Sequence, residues 1–212
     1  FFKKIGFPVT VGYGMTECAP IITYDDWNVE KLYSCGKIAP NMEMKIDSSD
    51  PVNVPGEILI KGANVFLGYF KNEEATKAVF TKDGWFRTGD MGVIDEDGCL
   101  FIKGRSKCMI LGPSGQNIYP EEVETVINNQ LYVVDSLVIE DNGGLTALIY
   151  PDFPQGAKDG MNQRAFVKYM EERLSEWNAI LPNYARLKKV EVMSEDFERT
   201  PKKSIKRYLY QR

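Results

Sequence analysis

The sequence predicts an α+β protein of two lobes, a strand-rich one over residues 1–104 and a small α+β one over residues 105–212. Three observations carry that expectation. The length of 212 residues suits one large domain or two modest ones. The first half sets short apolar runs between glycine-containing turns. The second half alternates helical and strand periods. Charge divides at the same place: residues 1–104 carry −4, and the remainder is balanced.

In the first lobe the apolar runs Pro8 to Gly12, Gly36 to Pro40, Met42 to Ile46, Glu57 to Lys61, Gly92 to Asp95 and Cys99 to Lys103 each read as a strand. Pro55-Gly56 and Asp97-Gly98 read as hairpin turns, because glycine accepts the positive φ of tight turns. Glu73 to Phe80, with Ala75, Ala78 and Val79 on one side, reads as a short helix. In the second lobe Tyr119-Pro120-Glu121-Glu122 marks a helix start, with proline in the first turn and carboxylates near the positive end of the dipole. Val133 to Ile139 and Leu145 to Tyr150 form a hairpin through Asp141-Asn142-Gly143-Gly144. Phe166, Met170, Leu174 and Trp177 recur at helical spacing, which predicts an amphipathic helix over 161–180 and then a strand at Leu187 to Val192. The order is α-β-β-α-β, and the lobe boundary rests on the change of pattern near Gly104 to Lys107.

Composition excludes several chemistries. The net charge of −4 gives no global attraction to nucleic acid or an anionic membrane. Histidine is absent, which removes Ser-His and Cys-His nucleophile pairs, HExxH zinc sites and any imidazole base. Cys18, Cys35, Cys99 and Cys108 lie far apart, so no thiolate knuckle is signalled and free thiols in a reducing compartment, the cytoplasm, are expected. No run approaches a membrane span and no leader pattern opens the chain. The apolar start at Phe1, without methionine, reads as a segment cut from something longer.

Four segments have the residue types for chemistry. Tyr13-Gly14-Met15-Thr16-Glu17 combines an aromatic face that can stack a purine with hydroxyl and carboxylate oxygens that suit a hard cation, and it also reads as a strand end with a Thr-initiated turn. Asp83 to Asp90 ends in a carboxylate just before the strand at Val93, placed to accept both hydroxyls of a ribose or to cap a hairpin turn. Gly104-Arg105-Ser106-Lys107 sets two cations at the lobe boundary, as ligands for an anion or as solvated linker charges. Gly115 either lets a ligand approach the backbone or supplies a turn. The last 14 residues carry +6, with Tyr208 and Tyr210 interleaved. Such a tail reads as a solvated terminus, a phosphate or lipid-surface contact, or a single-strand nucleic-acid contact.

Taken in order, YGMTE (13–17), PGEILIKG (55–62), GYFKNEEAT (68–76), DGWFRTGD (83–90), GRSKCMI (104–110), GQNIYPEEVE (115–124) and RTPKKSIKR (199–207) resemble the adenylate-forming superfamily, and within it most closely the long-chain fatty-acid–CoA ligases. The resemblance implies a barrel-like C-terminal section of the large AMP-binding domain over 1–104 and a mobile C-terminal lid over 105–212. It implies ATP, Mg²⁺ and coenzyme A with a fatty acid as small-molecule partners, no nucleic acid, and leaves peripheral membrane contact and oligomeric state open. By the same resemblance Tyr13, with Gly14 beside it, stacks on adenine, Thr16 contacts phosphate and Glu17 holds Mg²⁺. Asp90 binds the ribose hydroxyls, Arg105 reaches the ribose or phosphates, Lys107 is the hinge, and Gly115 lines the pantetheine tunnel.

Two departures stand out. The position of the family's C-terminal lysine holds Ser204, so either Lys203, a one-residue shift within a lysine's reach, takes that catalytic role, with Lys202 and Lys206 next, or that half-reaction is impaired. The phosphate loop and acyl tunnel of the family should precede the first motif, so this stretch alone is not expected to activate an acid. The alternatives are an aryl- or amino-acid-activating relative, or a non-catalytic binding module that keeps the fold.

Overall fold

The computed structural model describes residues 2–29 and 31–212; Phe1 and Glu30 lie outside the described residues. The chain separates into two compact units, Phe1–Lys107 and Cys108–Arg212.

In the first unit β1 (Gly12–Gly14), β2 (Ile21–Tyr24) and β3 (Lys37–Ile38) make a small antiparallel sheet in that order. Next come β4 (Met42–Asp47) and β5 (Gly56–Gly62), then α1 (Glu73–Val79), then β6 (Phe86–Ile94) and β7 (Leu100–Arg105), and the four strands form an antiparallel meander. These are two open sheets, not one closed barrel. They are stitched where the Cys35 amide donates to the Leu100 carbonyl (2.8 Å) and the Leu100 amide to the Gly36 carbonyl (2.9 Å). Ile22, Ile46, Ile58, Ile60, Phe86 and Leu100 form the core of the unit. Helix α1 starts where the Asn72 side chain accepts the Ala75 amide (3.0 Å), which satisfies one of the orphan donors of the first turn.

Three expectations shift here. Residues Pro8 to Val11 are irregular, because β2 ends at Tyr24 opposite Gly12 and leaves nothing earlier to pair with. Asp90 lies inside a strand, not in a turn before one, since β6 already begins at Phe86. Gly56 is a strand residue whose missing side chain leaves room for the Asp47 carbonyl, which a Cβ would meet at 2.3 Å, whereas Gly98 has the turn φ of +79°. The segment of β2 has no alternating strand signal of its own in the sequence.

The second unit opens with a two-stranded ribbon, β8 (Ile110–Leu111) and β9 (Asn117–Ile118), and continues through α2 (Pro120–Asn128), β10 (Val133–Asp141), β11 (Gly144–Pro151), α3 (Phe153–Lys158), α4 (Gln163–Ile180) and β12 (Leu187–Val192). Helices α2 and α4, the hairpin and the last strand fall where their periodicities put them; α3 is an addition. Strands order β10-β11-β12, the first pair antiparallel and the second parallel. Strand alternation divides the apolar residues between two faces. Val138, Ala147 and Ile149 pack with Val123 and Ile127 of α2 and Phe166, Met170 and Trp177 of α4. Leu137, Ile139 and Leu148 pack with Phe197, and Ile205 and Tyr210 of the tail lie against them.

The tail is therefore a strap over the second face of the sheet. Its charges are largely spoken for: Arg199 pairs with Asp135 and Asp196 (2.9 Å each), Lys206 with Glu198 (3.1 Å), Arg207 with Glu124 (2.8 Å) and Arg212 with Glu191 (2.7 Å) and Asp141 (3.2 Å). Glu124 and Arg207 also serve the free edge of β10. The carboxylate accepts the Val138 amide (2.7 Å) and the guanidinium donates to the Val138 carbonyl (3.1 Å), so the edge offers no open template there. Burial pushes the Glu124 carboxyl up against the opposing pull of Arg207.

Arg212 grips both oxygens of Glu191, and with Lys189 it holds that carboxyl down at about 2. A depressed carboxyl contributes stability that is complete above its ordinary value of 4.5 and is lost as pH falls toward 2. Arg212→Ala is expected to lower stability at neutral pH. Urea unfolding of the two proteins should show that gap closing between pH 4.5 and 2.

Candidate functional site

Tyr13, Asp90 and Arg105 come from three strands of the first unit and meet at one carboxylate. Asp90 is 7% exposed. Its Oδ2 accepts the Tyr13 hydroxyl at 2.6 Å, and its Oδ1 lies 3.1 Å from Arg105 Nε. The β6–β7 register sets Asp90 directly opposite Arg105, so pairing of the two strands delivers that contact. The Tyr13 contact spans 77 residues and depends on the two sheets of the unit being stitched together. Burial first, and then the negative charge of Asp90, pushes the Tyr13 phenol well above its usual range, so it remains a donor at any physiological pH. Its ring is buried in the core at 9% exposure, so the hydroxyl, more than the face, is what the strand presents.

Asp90 sits on a β-bulge. Opposite the single residue Ile58 between Glu57 and Leu59, β6 carries three residues, Thr88, Gly89 and Asp90, between Arg87 and Met91. The lost ladder bonds are replaced by side chains. The Asp90 amide donates to Thr88 Oγ1 (3.1 Å), that hydroxyl donates to the Ile58 carbonyl (2.9 Å), and the Gly89 amide donates to Glu57 Oε1 (3.0 Å). Gly89 has φ +74°, which a residue with a Cβ adopts only under strain.

Thr16, Glu17 and Cys18 make a single helical turn just past β1. Thr16 is exposed. The Glu17 carbonyl accepts the Phe66 amide (2.8 Å) and its Oε1 accepts the Tyr69 hydroxyl (3.2 Å). Its carboxylate thus faces Tyr69 and not Asp90. Gly14 is required by packing: a Cβ there would lie 2.1 Å from the Pro20 carbonyl oxygen. Carboxylate and hydroxyl oxygens at Glu17 and Thr16 are the donor type that magnesium takes. Among the described residues no group of three or more acids or cysteines could cage a metal. Two oxygen donors alone could hold such an ion only if its other ligands came from outside the protein.

Lys107 is exposed in the turn Ser106–Cys108 and is the last residue of the first unit. Gly115 lies in the exposed loop between β8 and β9 with φ +80°, in open space, and its amide closes a turn on the Gly112 carbonyl (2.9 Å). Lys203 is exposed at φ +62° on the turn closed by the Arg199–Ile205 bridge, with its amide on the Thr200 carbonyl (2.8 Å). Lys202 and Lys203 are the tail cations that enter no ion pair among the described residues, while Lys206 is committed to Glu198. Glu57, Thr88 and Tyr69 were not legible as functional positions. The one sequence signal was Gly89 inside an otherwise strand-like stretch, the mark of a bulge.

Residues 1–70 match the AMP-binding enzyme family and residues 109–212 match the AMP-binding enzyme C-terminal domain. The chain is 44% identical over 139 residues to a 2-succinylbenzoate–CoA ligase of Bacillus pumilus, covering 63% of this chain and 28% of that protein. It is 29% identical over 227 residues to the long-chain-fatty-acid–CoA ligase FadD15 of Mycobacterium bovis, covering 98% and 37%. Among solved structures, O-succinylbenzoate CoA synthetase (MenE) of Bacillus subtilis in complex with ATP and magnesium superposes with a TM-score of 0.78 at 32% identity, over 98% of this chain and 42% of that one. The chain thus spans less than half the length of each of these relatives.

Tyr13→Phe leaves Asp90 Oδ2 buried without its donor. It is expected to lower stability by about 1.5–3 kcal/mol, read by urea unfolding.

Proposed function

From the premise that this chain belongs to the AMP-binding enzyme family, we propose that it forms the C-terminal part of an ATP-dependent ligase that joins a long-chain fatty acid to coenzyme A through an acyl-adenylate. The observation that carries this reading is the buried Asp90 carboxylate, fixed by a phenol on one oxygen and a guanidinium on the other.

The chemistry suits a chain without histidine. A carboxylic acid is already ionised at neutral pH, so its attack on the α-phosphorus, with departure of pyrophosphate, needs no base. It needs alignment and charge neutralisation. The thiol sulfur of coenzyme A then bonds to the acyl carbon, AMP leaves, and the thiol proton goes to solvent. In this reading Asp90 holds the ribose hydroxyls, with Arg105 reaching the ribose or phosphates. Tyr13 anchors Asp90 through its hydroxyl and stacks on adenine with its ring. Thr16 contacts phosphate and Glu17 binds Mg²⁺, which supplies positive charge to the phosphates when bound. Lys107 is the hinge, with residues 1–104 closing the large domain and 105–212 forming the lid, a division supported by the two compact units that meet after Lys107. Gly115 leaves a thiol path open. Four free cysteines support a reducing compartment, the cytoplasm.

Similarity to FadD15 along nearly the whole chain supports a long acyl substrate. The higher identity to 2-succinylbenzoate–CoA ligases over a shorter stretch favours an aryl acid as the second reading. A panel of acids given to the full-length protein, with pyrophosphate release as readout, separates them. Palmitate is expected to release pyrophosphate and 2-succinylbenzoate and amino acids to release little. The reverse pattern overturns the substrate class, and silence with every acid leaves a binding module.

Lys203→Ala is expected to slow adenylation by about 10²–10³-fold, the scale of losing one transition-state charge contact. Transfer from a supplied acyl-adenylate to coenzyme A should be spared. Lys206→Ala, which removes a cation held by Glu198, is expected to change the adenylation rate little.

A further inference from the structure

We propose that Glu57 is a positioning residue for Asp90, acting through the amide of Gly89 and the guanidinium of Arg87. The proposal rests on the reading that Asp90 holds the ribose hydroxyls of the nucleotide.

A strand that carries three residues opposite one loses the regular ladder that would otherwise fix its direction. Asp90 is the last of those three, so its aim depends on whatever replaces the ladder. Two side chains do so. Thr88 is part of the bulge and moves with it, and its hydroxyl links the Asp90 amide to the Ile58 carbonyl. Glu57 stands outside the bulge, on β5, at the last regular pair before the ladder breaks. Its Oε1 accepts the Gly89 amide at 3.0 Å, and its Oε2 pairs with Arg87 on the residue before the bulge begins. One carboxylate thus holds the bulge at Arg87 and at Gly89, and does so from a neighbouring strand. Its side chain is only 13% exposed, so water is a poor substitute acceptor for the Gly89 amide. Gly89 itself, at φ +74°, has no side chain to brace the turn. Without Glu57 the segment is held on the β5 side by Thr88 alone, and Asp90 is free to swing on it while still paired to Arg105.

The test separates aim from stability by asking for a ribose-specific signature. In the full-length protein, kcat/KM for ATP is compared with that for 2′-deoxy-ATP in the wild type, Glu57→Ala, Glu57→Gln, Asp90→Ala and the double variant Glu57→Ala/Asp90→Ala. Asp90→Ala is expected to bring the ratio near one. Glu57→Ala should reduce the ratio by about tenfold, the scale of one hydrogen bond. Glu57→Gln, whose amide oxygen still accepts from Gly89, should restore most of it, and the double variant should discriminate no worse than Asp90→Ala alone. A ratio unchanged in Glu57→Ala while it collapses in Asp90→Ala overturns the proposal, as does an equal further loss in the double variant. If Asp90→Ala itself leaves the ratio untouched, the ribose reading is the one that fails. Native-state hydrogen exchange then decides the buttress without nucleotide. The Gly89 and Asp90 amides should exchange about tenfold faster in Glu57→Ala than in the wild type and near the wild-type rate in Glu57→Gln. Unchanged exchange overturns the proposal. Glu57→Asp, which keeps the charge but shortens the reach by a methylene, stands in for the alanine variant if that variant does not fold, with the same losses expected.

Discussion

A carboxylate taken almost fully out of water must have both oxygens satisfied, and much of the first unit is organised around meeting that demand at Asp90. One oxygen draws Tyr13 from the small sheet, the other draws Arg105 from the next strand of the meander. The first contact requires the two sheets to be held in fixed relation, which the reciprocal bonds between Cys35, Gly36 and Leu100 achieve. The second requires only antiparallel register. A carboxylate held between a phenol and a guanidinium is fixed in direction before any ligand meets it. The bulge adds the remaining element. A regular strand would spend the Asp90 backbone on its ladder with β5, whereas the break frees this segment to turn and hands its amides to Thr88 and Glu57.

The second unit solves a different problem. Its sheet is apolar on both faces, and two helices cover only one. The chain covers the other with its own end, placing Phe197, Ile205 and Tyr210 over Leu137, Ile139 and Leu148. A strap of that kind slides unless it is pinned, and the basic residues pin it to acids on the strands and on α2. The high positive charge of the last 14 residues is thus mostly internal accounting of the fold. The consequence for chemistry is selective. Arg199, Arg207 and Arg212 hold the strap, Lys206 pairs with Glu198 within it, and the turn between Arg199 and Ile205 leaves Lys202 and Lys203 exposed with no ion pair among the described residues. This also weakens a nucleic-acid or lipid-surface reading of the tail, since cations already paired release few counterions on binding a polyanion.

By itself the sequence determined the local elements of the second unit, because 3.6-residue and two-residue periods of Phe166, Met170, Trp177 or Leu145 to Tyr150 are set by side-chain geometry along one segment. The order of its motifs likewise identified the family, and named Tyr13, Asp90 and Arg105 as candidates. Local pattern was weaker in the first unit. It placed a strand at Pro8 to Gly12 where pairing begins only at Gly12, missed β2, and read Asp90 as a turn residue, because a strand exists only where another strand offers it a ladder. Tertiary structure alone decided that Tyr13 meets Asp90 through its hydroxyl, that Glu57 and Thr88 support the bulge, that Glu17 faces Tyr69, and that four tail cations are bound in place. Each of these depends on a contact between segments far apart in the chain, and the geometry of such a contact is fixed by the packing of whole sheets and not by the residues on either side of it.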